Sequence, residues 1–453
     1  YHGITVTTSS NINIGNNTFI DNKNGMVFTD CTGDLSVFNN SVSDPLLMGI
    51  DIDNSYGIDF SNNSIQGGGF RFRGENSYAD TLTVDPDNLV DGKPIRIYKD
   101  QNNVAIPANT GSVLLLNCND TLVENFVDPC YYFVSNSQNF TLQNSKYHTV
   151  DLYRSNWSEI LHNDCSNNFK GIWLYECRNN SIVDNNCTGN TAGSYYGYGI
   201  RLYYCDSNLV LENICANNNW AGIDLDSCNN NTVQWNTCSN SIGTAASGWG
   251  IHSYGTRTWG TTKIYNNYCA ANYMGIRIDS AYTITSNNTC VDNIHSGLYM
   301  GGGEATSPIV NNTMYSNEGS GMQISNDFVI VKNNTCDANI NYGIVMTGDY
   351  VRLENNICKN NHGSGIRYGT GAPHGYAIDN FCYENWGYGI ELANSQNTTL
   401  INNTLSGDNY GLYVDSNSDN SKIIGNYITG TISSYSGRSE ERRVGKECRS
   451  RLS

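Results

Sequence analysis

Proline is scarce, with 7 in 453 residues, charged residues make up only 15 %, and no run of 18 apolar residues occurs. Without such a run no helix of the chain is expected to span a membrane. Apolar residues nowhere sustain a spacing of three, four and seven, so almost no helix is expected either. Cations are also few: 25 Lys and Arg stand against 42 Asp and Glu, a net charge of -17. A nucleic-acid partner needs clustered Lys and Arg, and this balance argues against one. What fills the chain instead is asparagine, 69 of them, together with 45 glycines and 16 cysteines.

These residues return in a fixed order. Val331 to Met346 reads VKNNTCDANINYGIVM, and Leu353 to Tyr368 reads LENNICKNNHGSGIRY. Asn recurs at 125, 144, 163, 185, 213, 236, 267, 288, 312, 334, 356, 380, 403 and 426, most often with Cys two positions later and an aliphatic residue three positions earlier. Gly then opens a second segment, as in Gly171-Ile172-Trp173-Leu174, where the alternation places the first and third residues inward and the second outward. A period near 22 residues, as between Asn312, Asn334 and Asn356, built from two or three short strands, is the mark of a stacked solenoid. The leucine frame and helical half of a leucine-rich repeat are missing. The expected fold is therefore all-β, a right-handed parallel β-helix of pectate-lyase-like architecture, with handedness taken from the crossover rule. The recurrent Asn is expected to take the left-handed bend between strands and to stack its amides from coil to coil. Cys fits the narrow interior as a small apolar residue, and free thiols are expected.

Four segments are expected: coils over 1–70, an inserted hairpin over 71–110, a main array over 111–430 and a tail over 431–453. The chain opens at Tyr1 inside a coil, without Met or signal peptide, so a truncated start is expected. RSEERRVGKECRSRLS, from Arg438 to Ser453, abandons the repeat and resembles a translated sequencing adapter. Within the hairpin, the acidic stretch Asp85 to Gly92 fails the helix-loop-helix calcium pattern because Leu89 and Val90 occupy ligand and glycine places.

GKPIRIYKDQNN leading into SVLLLNC (Ser112 to Cys118), followed by coils spelling NNTC and GIxL, resembles the NosD-type right-handed β-helix repeat family of secreted and cell-surface prokaryotic proteins. That resemblance covers roughly residues 1 to 430 and implies fold more than activity. The family name implies a copper partner. This sequence departs from it, because His2, His148, His162, His252, His295, His362 and His374 fall on different rungs with no ligand spacing to Met. No cofactor and no metal site is expected.

Function on such a fold must lie on outward faces or inserted loops. The outward position after each Gly gives Trp173, Arg201, Asp224, His252, Arg277, Tyr299, Gln323, Val345, Arg367, Glu391 and Tyr413. Coils lengthen where Thr191 to Tyr198, Gly243 to Trp249 and Gly255 to Gly260 are inserted, and five of the seven tryptophans fall between 173 and 259. Aromatic faces beside charged groups suit an extended sugar chain, so Trp173, Tyr196, Tyr198, Arg201, Trp249, Tyr254 and Trp259 are the expected carbohydrate-binding residues. For chemistry the same face offers Asp224, Asp226, Arg201, His252, Arg277 and Asp279, a set able to supply an acid, a base and a cation for a uronate. No stretch resembles the catalytic signatures of pectate lyases, polygalacturonases or uronan epimerases. The expectation is a secreted or cell-surface scaffold or adhesion protein whose partner is a polysaccharide or cell-envelope glycan. A polysaccharide-active enzyme (lyase, hydrolase or epimerase) on the same face, or a plain envelope spacer, are the competing readings.

Overall fold

The computed structural model describes residues 1–191, 197–243, 247–255, 260–302 and 307–434. Among these the one helix is the short Asn76–Asp80, and the rest is short strands joined by bends. The chain divides into two units, Tyr1–Trp220 and Ala221–Ser453.

The first unit holds two stacks of coils. In the first stack Ile4–Thr7, Asn24–Thr29, Met48–Asp53 and Phe70–Arg73 pair in parallel as one sheet, and Ile12–Gly15, Leu35–Phe38, Ile58–Ser61 and Leu82–Val84 as another. Leu89–Val90 and Lys93–Lys99 pair antiparallel around Asp91 and Gly92, both at positive φ. The second of these strands starts the next stack, pairing in parallel with Ser112–Leu116, which pairs with Cys130–Ser135, then Tyr147–Tyr153, Ile172–Tyr175 and Tyr198–Tyr203. Phe70–Arg73 packs against the second stack as well as closing the first. The acidic stretch before the hairpin is part of the first stack, since Asn63 Nδ2 donates to Asn88 Oδ1 at 2.8 Å.

In the second unit parallel coils repeat from Ala221–Asp226 and Trp249–Tyr254 to Thr404–Val414. Alternation works as expected: Ile276, Leu298, Met322, Ile344, Ile366 and Ile390 align in one inward row and all are buried. Each such side chain contributes about 1.5–3 kcal/mol by leaving water. The strand-opening glycine is required by close approach. A Cβ on Gly343 would meet the carbonyl oxygen of Gly365 at 2.5 Å and Cβ of Cys358 at 3.0 Å. Gly and Cys thus recur together because one makes room for the other. No disulfide joins the 15 cysteines among the described residues.

The asparagine ladder differs from expectation in one respect. Left-handed φ falls on the residue before each rung: His162, Asp184, Glu212, Trp235, Asn266, Asn287, Asn311, Asn333 and Asn355. The rung Asn itself is buried and saturated. Asn334 Nδ2 donates to Asn356 Oδ1 (3.0 Å) and to the Ile309 carbonyl (2.9 Å), while Asn334 Oδ1 accepts the Asn312 backbone N–H (2.8 Å). Asn125 and Asn144 are therefore bend residues, with φ of 61° and 50°, and the rungs beside them are Phe126 and Ser145. A second ladder runs five residues later through Asn272, Asn293, Asn317, Asn339, Asn361 and Asn385 to Asp408.

Candidate functional site

Each unit gathers charged and aromatic side chains on an outward strand face. In the first unit, strand register places Trp173 between Asp151 on one side and Arg201 on the other. From the first stack, Arg71 pairs in register with Asp51. Phe70–Arg73 brings these over the same face: Arg71 donates through Nε (2.8 Å) and Nη2 (2.5 Å) to the two oxygens of Asp51, and its Nη1 lies 3.6 Å from Asp151 Oδ2. Lys170 Nζ donates to Asp151 Oδ2 at 2.7 Å and sits 3.9 Å from the Trp173 ring centre. The guanidinium carbons of Arg201 and Arg71 lie 5.4 and 5.8 Å from that centre. Three cations thus surround one indole.

Between these strands lies a cleft lined by Arg71, Arg73, Phe133, Asp151, Tyr153 and Trp173, among others. Burial governs its electrostatics. Lys170, its side chain 3 % exposed, is lowered to about 7 by loss of water, an effect the Asp151 carboxylate only partly offsets. Burial would raise Asp51, but Arg71 outweighs it by charge and hydrogen bonds and holds the carboxyl down at about 2.

Of the expected residues here, Trp173, Tyr198 and Arg201 come together, with the Arg201 guanidinium 4.7 Å from the Tyr198 ring. Tyr198 is buried, so its ring offers no open face. Tyr196 lies outside the described residues. Asp51, Arg71, Asp151 and Lys170 were missed by the sequence reading. Gly49-Ile50-Asp51-Ile52 and Gly69-Phe70-Arg71-Phe72 repeat the Gly-apolar-outward-apolar pattern and carried a readable signal. Asp151 fits the same frame with Thr149 in the glycine place, whereas nothing in the sequence marks Lys170.

In the second unit Asp224, His252 and Arg277 align on adjacent strands, as do Asp226, Tyr254 and Asp279. All six side chains meet. His252 Nδ1 lies 2.9 Å from Asp224 Oδ1 and Nε2 lies 3.4 Å from Asp279 Oδ2. Arg277 Nε donates to Asp279 Oδ2 at 2.5 Å, and the Tyr254 hydroxyl donates to Asp226 Oδ2 at 2.5 Å. Tyr254 stacks on the imidazole with ring centres 4.6 Å apart, and Trp249 covers it at 4.0 Å. Burial alone would lower His252. The hydrogen bonds and charges of Asp224 and Asp279 outweigh it and raise the imidazole above the ordinary histidine value. Asp279 is pulled below its usual range, against burial, by His252 and Arg277.

Exposure divides this cluster. Asp224 is 0 % exposed and the His252 side chain 7 %, whereas Asp279 and Arg277 reach solvent. Trp249 is 5 % exposed, so its indole packs the cluster and is closed as a stacking platform; Trp259 lies outside the described residues. Arg277 sits 5.3 Å from the ring centres of both Trp249 and Tyr299. Among the described residues no group of three or more His, Cys, Asp or Glu is placed to hold a metal ion, and no helix is long and apolar enough to cross a membrane.

Among solved structures, the chain is similar to the Dettilon tailspike protein at 15 % identity and a TM-score of 0.35, covering 83 % of this chain and 62 % of that one. It is also similar to the A-module of the Azotobacter vinelandii mannuronan C-5 epimerase AlgE4, at 12 % identity and a TM-score of 0.33, covering 83 % of this chain and 89 % of that one. A third likeness is to the catalytic domain of a GH87 alpha-1,3-glucanase, at 11 % identity and a TM-score of 0.38, covering 81 % and 64 %. The chain thus spans less than two thirds of the tailspike and of the glucanase chain. No match was found among curated proteins. The sequence matches the family described as "right handed beta helix region" over residues 96–267, 244–381 and 348–440, and the chain belongs to that family.

Proposed function

We propose that the chain is a secreted or cell-surface scaffold that binds an extended polysaccharide along the outward strand row of its second unit. The observation that carries this is the register. Arg277, Tyr299, Gln323, Val345, Arg367, Glu391 and Tyr413 follow one another on adjacent strands, so one face presents cationic, aromatic and amide groups in a straight line. Neighbouring strands are about 4.8 Å apart, which gives a long ligand repeated contacts. Within the row the ionic groups also pair with each other, Arg277 with Asp279 and Arg367 with Glu391 at 3.2 Å, and such a lining suits the hydroxyls of a sugar chain.

The test is retention of the full chain on a panel of neutral and uronate polysaccharides. Retention of the wild type, reduced at least tenfold by Arg277→Ala, is the expected result. No retention on any polysaccharide would leave only a spacer role.

A second reading, a polysaccharide-active enzyme, is favoured by one observation: His252 is held between two carboxylates beside Arg277. The imidazole and Asp224 are sealed from solvent, and only Asp279 among the acids of this trio reaches it, which supports binding over proton transfer to a substrate. New reducing ends or unsaturated uronides formed by the wild type and lost in Asp279→Asn would establish the enzyme instead.

A further inference from the structure

The cleft of the first unit has a chemistry of its own. Four cations, Arg71, Arg73, Lys170 and Arg201, gather at this cleft with three carboxylates, Asp51, Asp53 and Asp151, and three of the cations surround Trp173, on a chain that carries 25 cations against 42 acids. Three polar atoms of the cleft lining are buried and have no hydrogen-bond partner in the protein: Nε of Arg73, Nε1 of Trp173 and Oδ1 of Asp151. Buried polar groups are ordinarily satisfied, so orphans concentrated in one cleft mark a place where a ligand or water completes them. Two are donors and one is an acceptor. The ligand that fits has an anionic acceptor and a neighbouring hydroxyl, and a flat apolar side for Trp173 and the stacked rings of Tyr153 and Tyr175, 5.3 Å apart.

We infer that this cleft binds a uronic acid residue of an acidic glycan, its carboxylate facing Arg73 and the Trp173 indole N–H, and a hydroxyl donating to Asp151. Arg73 is the available arm of the cation set. Arg71 spends both ends of its fork on Asp51, whereas Arg73 gives only Nη2 to Asp53, at 2.9 Å. Guanidinium and carboxylate match as planar partners, which favours a carboxylate over a neutral hydroxyl here. Lys170 adds a second signature. It is held at about 7 among Asp151, Arg71 and Arg73, so an arriving anion draws a proton onto it.

This site is independent of the row in the second unit, and its test separates the two. The full chain is titrated calorimetrically with tetragalacturonate, tetramannuronate and tetraglucuronate, with cellotetraose as neutral comparison and a carrageenan tetrasaccharide as sulfated comparison. Saturable binding of at least one uronate is expected, at least tenfold weaker in Arg73→Gln and Trp173→Leu and largely restored in Arg73→Lys. At pH 7 the binding heat of the wild type is expected to depend on the ionisation enthalpy of the buffer, reporting proton uptake, and that dependence should vanish in Lys170→Met. No uronate binding, or equal binding of cellotetraose or the sulfated sugar, would overturn the inference. Uronate binding lost in Arg277→Ala but kept in Arg73→Gln would also overturn it, while leaving the proposed row standing. Arg73→Gln and Trp173→Leu are chosen because neither strands the buried Asp51, as removal of Arg71 does.

Discussion

The first unit makes a cleft and the second a straight row, although both use the same coil. In the second unit outward side chains meet their neighbours along the face and pair with one another, as His252 does with Asp224 on the adjacent strand and Arg277 with Asp279 on its own. In the first unit one stack ends at Phe70–Arg73 and another starts at Lys93–Lys99, so the last strand of one lies over the outward face of the other. Concavity and unsatisfied groups come from that interruption. Regular repetition yields a surface; its failure yields a pocket.

The largest expected difference between the two regions is in the cost of removing an arginine. Arg71→Ala strands the buried Asp51 and is expected to destabilise the first unit by about 3–5 kcal/mol, the usual cost of an uncompensated buried charge. Arg277→Ala removes a partner of the partly exposed Asp279 and is expected to cost about 1 kcal/mol or less. Urea denaturation followed by hydrogen exchange, which reads each unit separately, checks the contrast. Equal costs would mean that the cleft is no more enclosed than the row.

A smaller effect separates rung from bend. Asn334→Ala leaves the Asn312 N–H without its acceptor and removes one of the two donors to Asn356 Oδ1, the Asn334 backbone N–H remaining, and is expected to cost about 1–3 kcal/mol. Asn333, at φ 57°, needs only the left-handed conformation, so Asn333→Gly is expected to change stability by a few tenths of a kcal/mol. Thermal melting of both variants decides it.

This distinction is also where the sequence was hardest to read. Asparagine serves both the bend and the rung, so Asn125 and Asn144 look like rungs while the structure uses them as bends. The second ladder is masked because one Asn per coil already accounts for the period, although Asn267 and Asn272, Asn288 and Asn293, and Asn312 and Asn317 repeat the same five-residue step. Strand phase was fully legible, since inward and outward positions follow from alternation alone. It puts Asp224, His252, Arg277 and Asp279 on one face, where strand register aligns them. The cleft was not legible as a cleft, because contact between Arg71 and Trp173 depends on how two stacks meet, about a hundred residues apart in the chain.

The smallest expected effects are opposite trends with pH. His252 is raised in the folded chain, so its contribution to stability is complete below the ordinary histidine value, about 6.5, and is lost as pH climbs through the raised value. The advantage of wild type over His252→Gln should shrink from pH 5.5 to pH 8.5. Lys170 is lowered to about 7 against an unfolded value of about 10.4, so the unfolded chain binds more protons between these and stability rises with pH across that window. The advantage of wild type over Lys170→Met should therefore grow from pH 7 to pH 9. Denaturation midpoints at these values check both, and trends of the same sign would contradict the assigned environments.

Hydrogen exchange of the full chain with and without a saturating uronate tetrasaccharide tests most directly the claim that the interruption of stacking creates the ligand site. The account predicts added protection over Phe70–Arg73, Tyr147–Tyr153 and Ile172–Tyr175. Protection confined to strands of the second unit, or none at all, would contradict it.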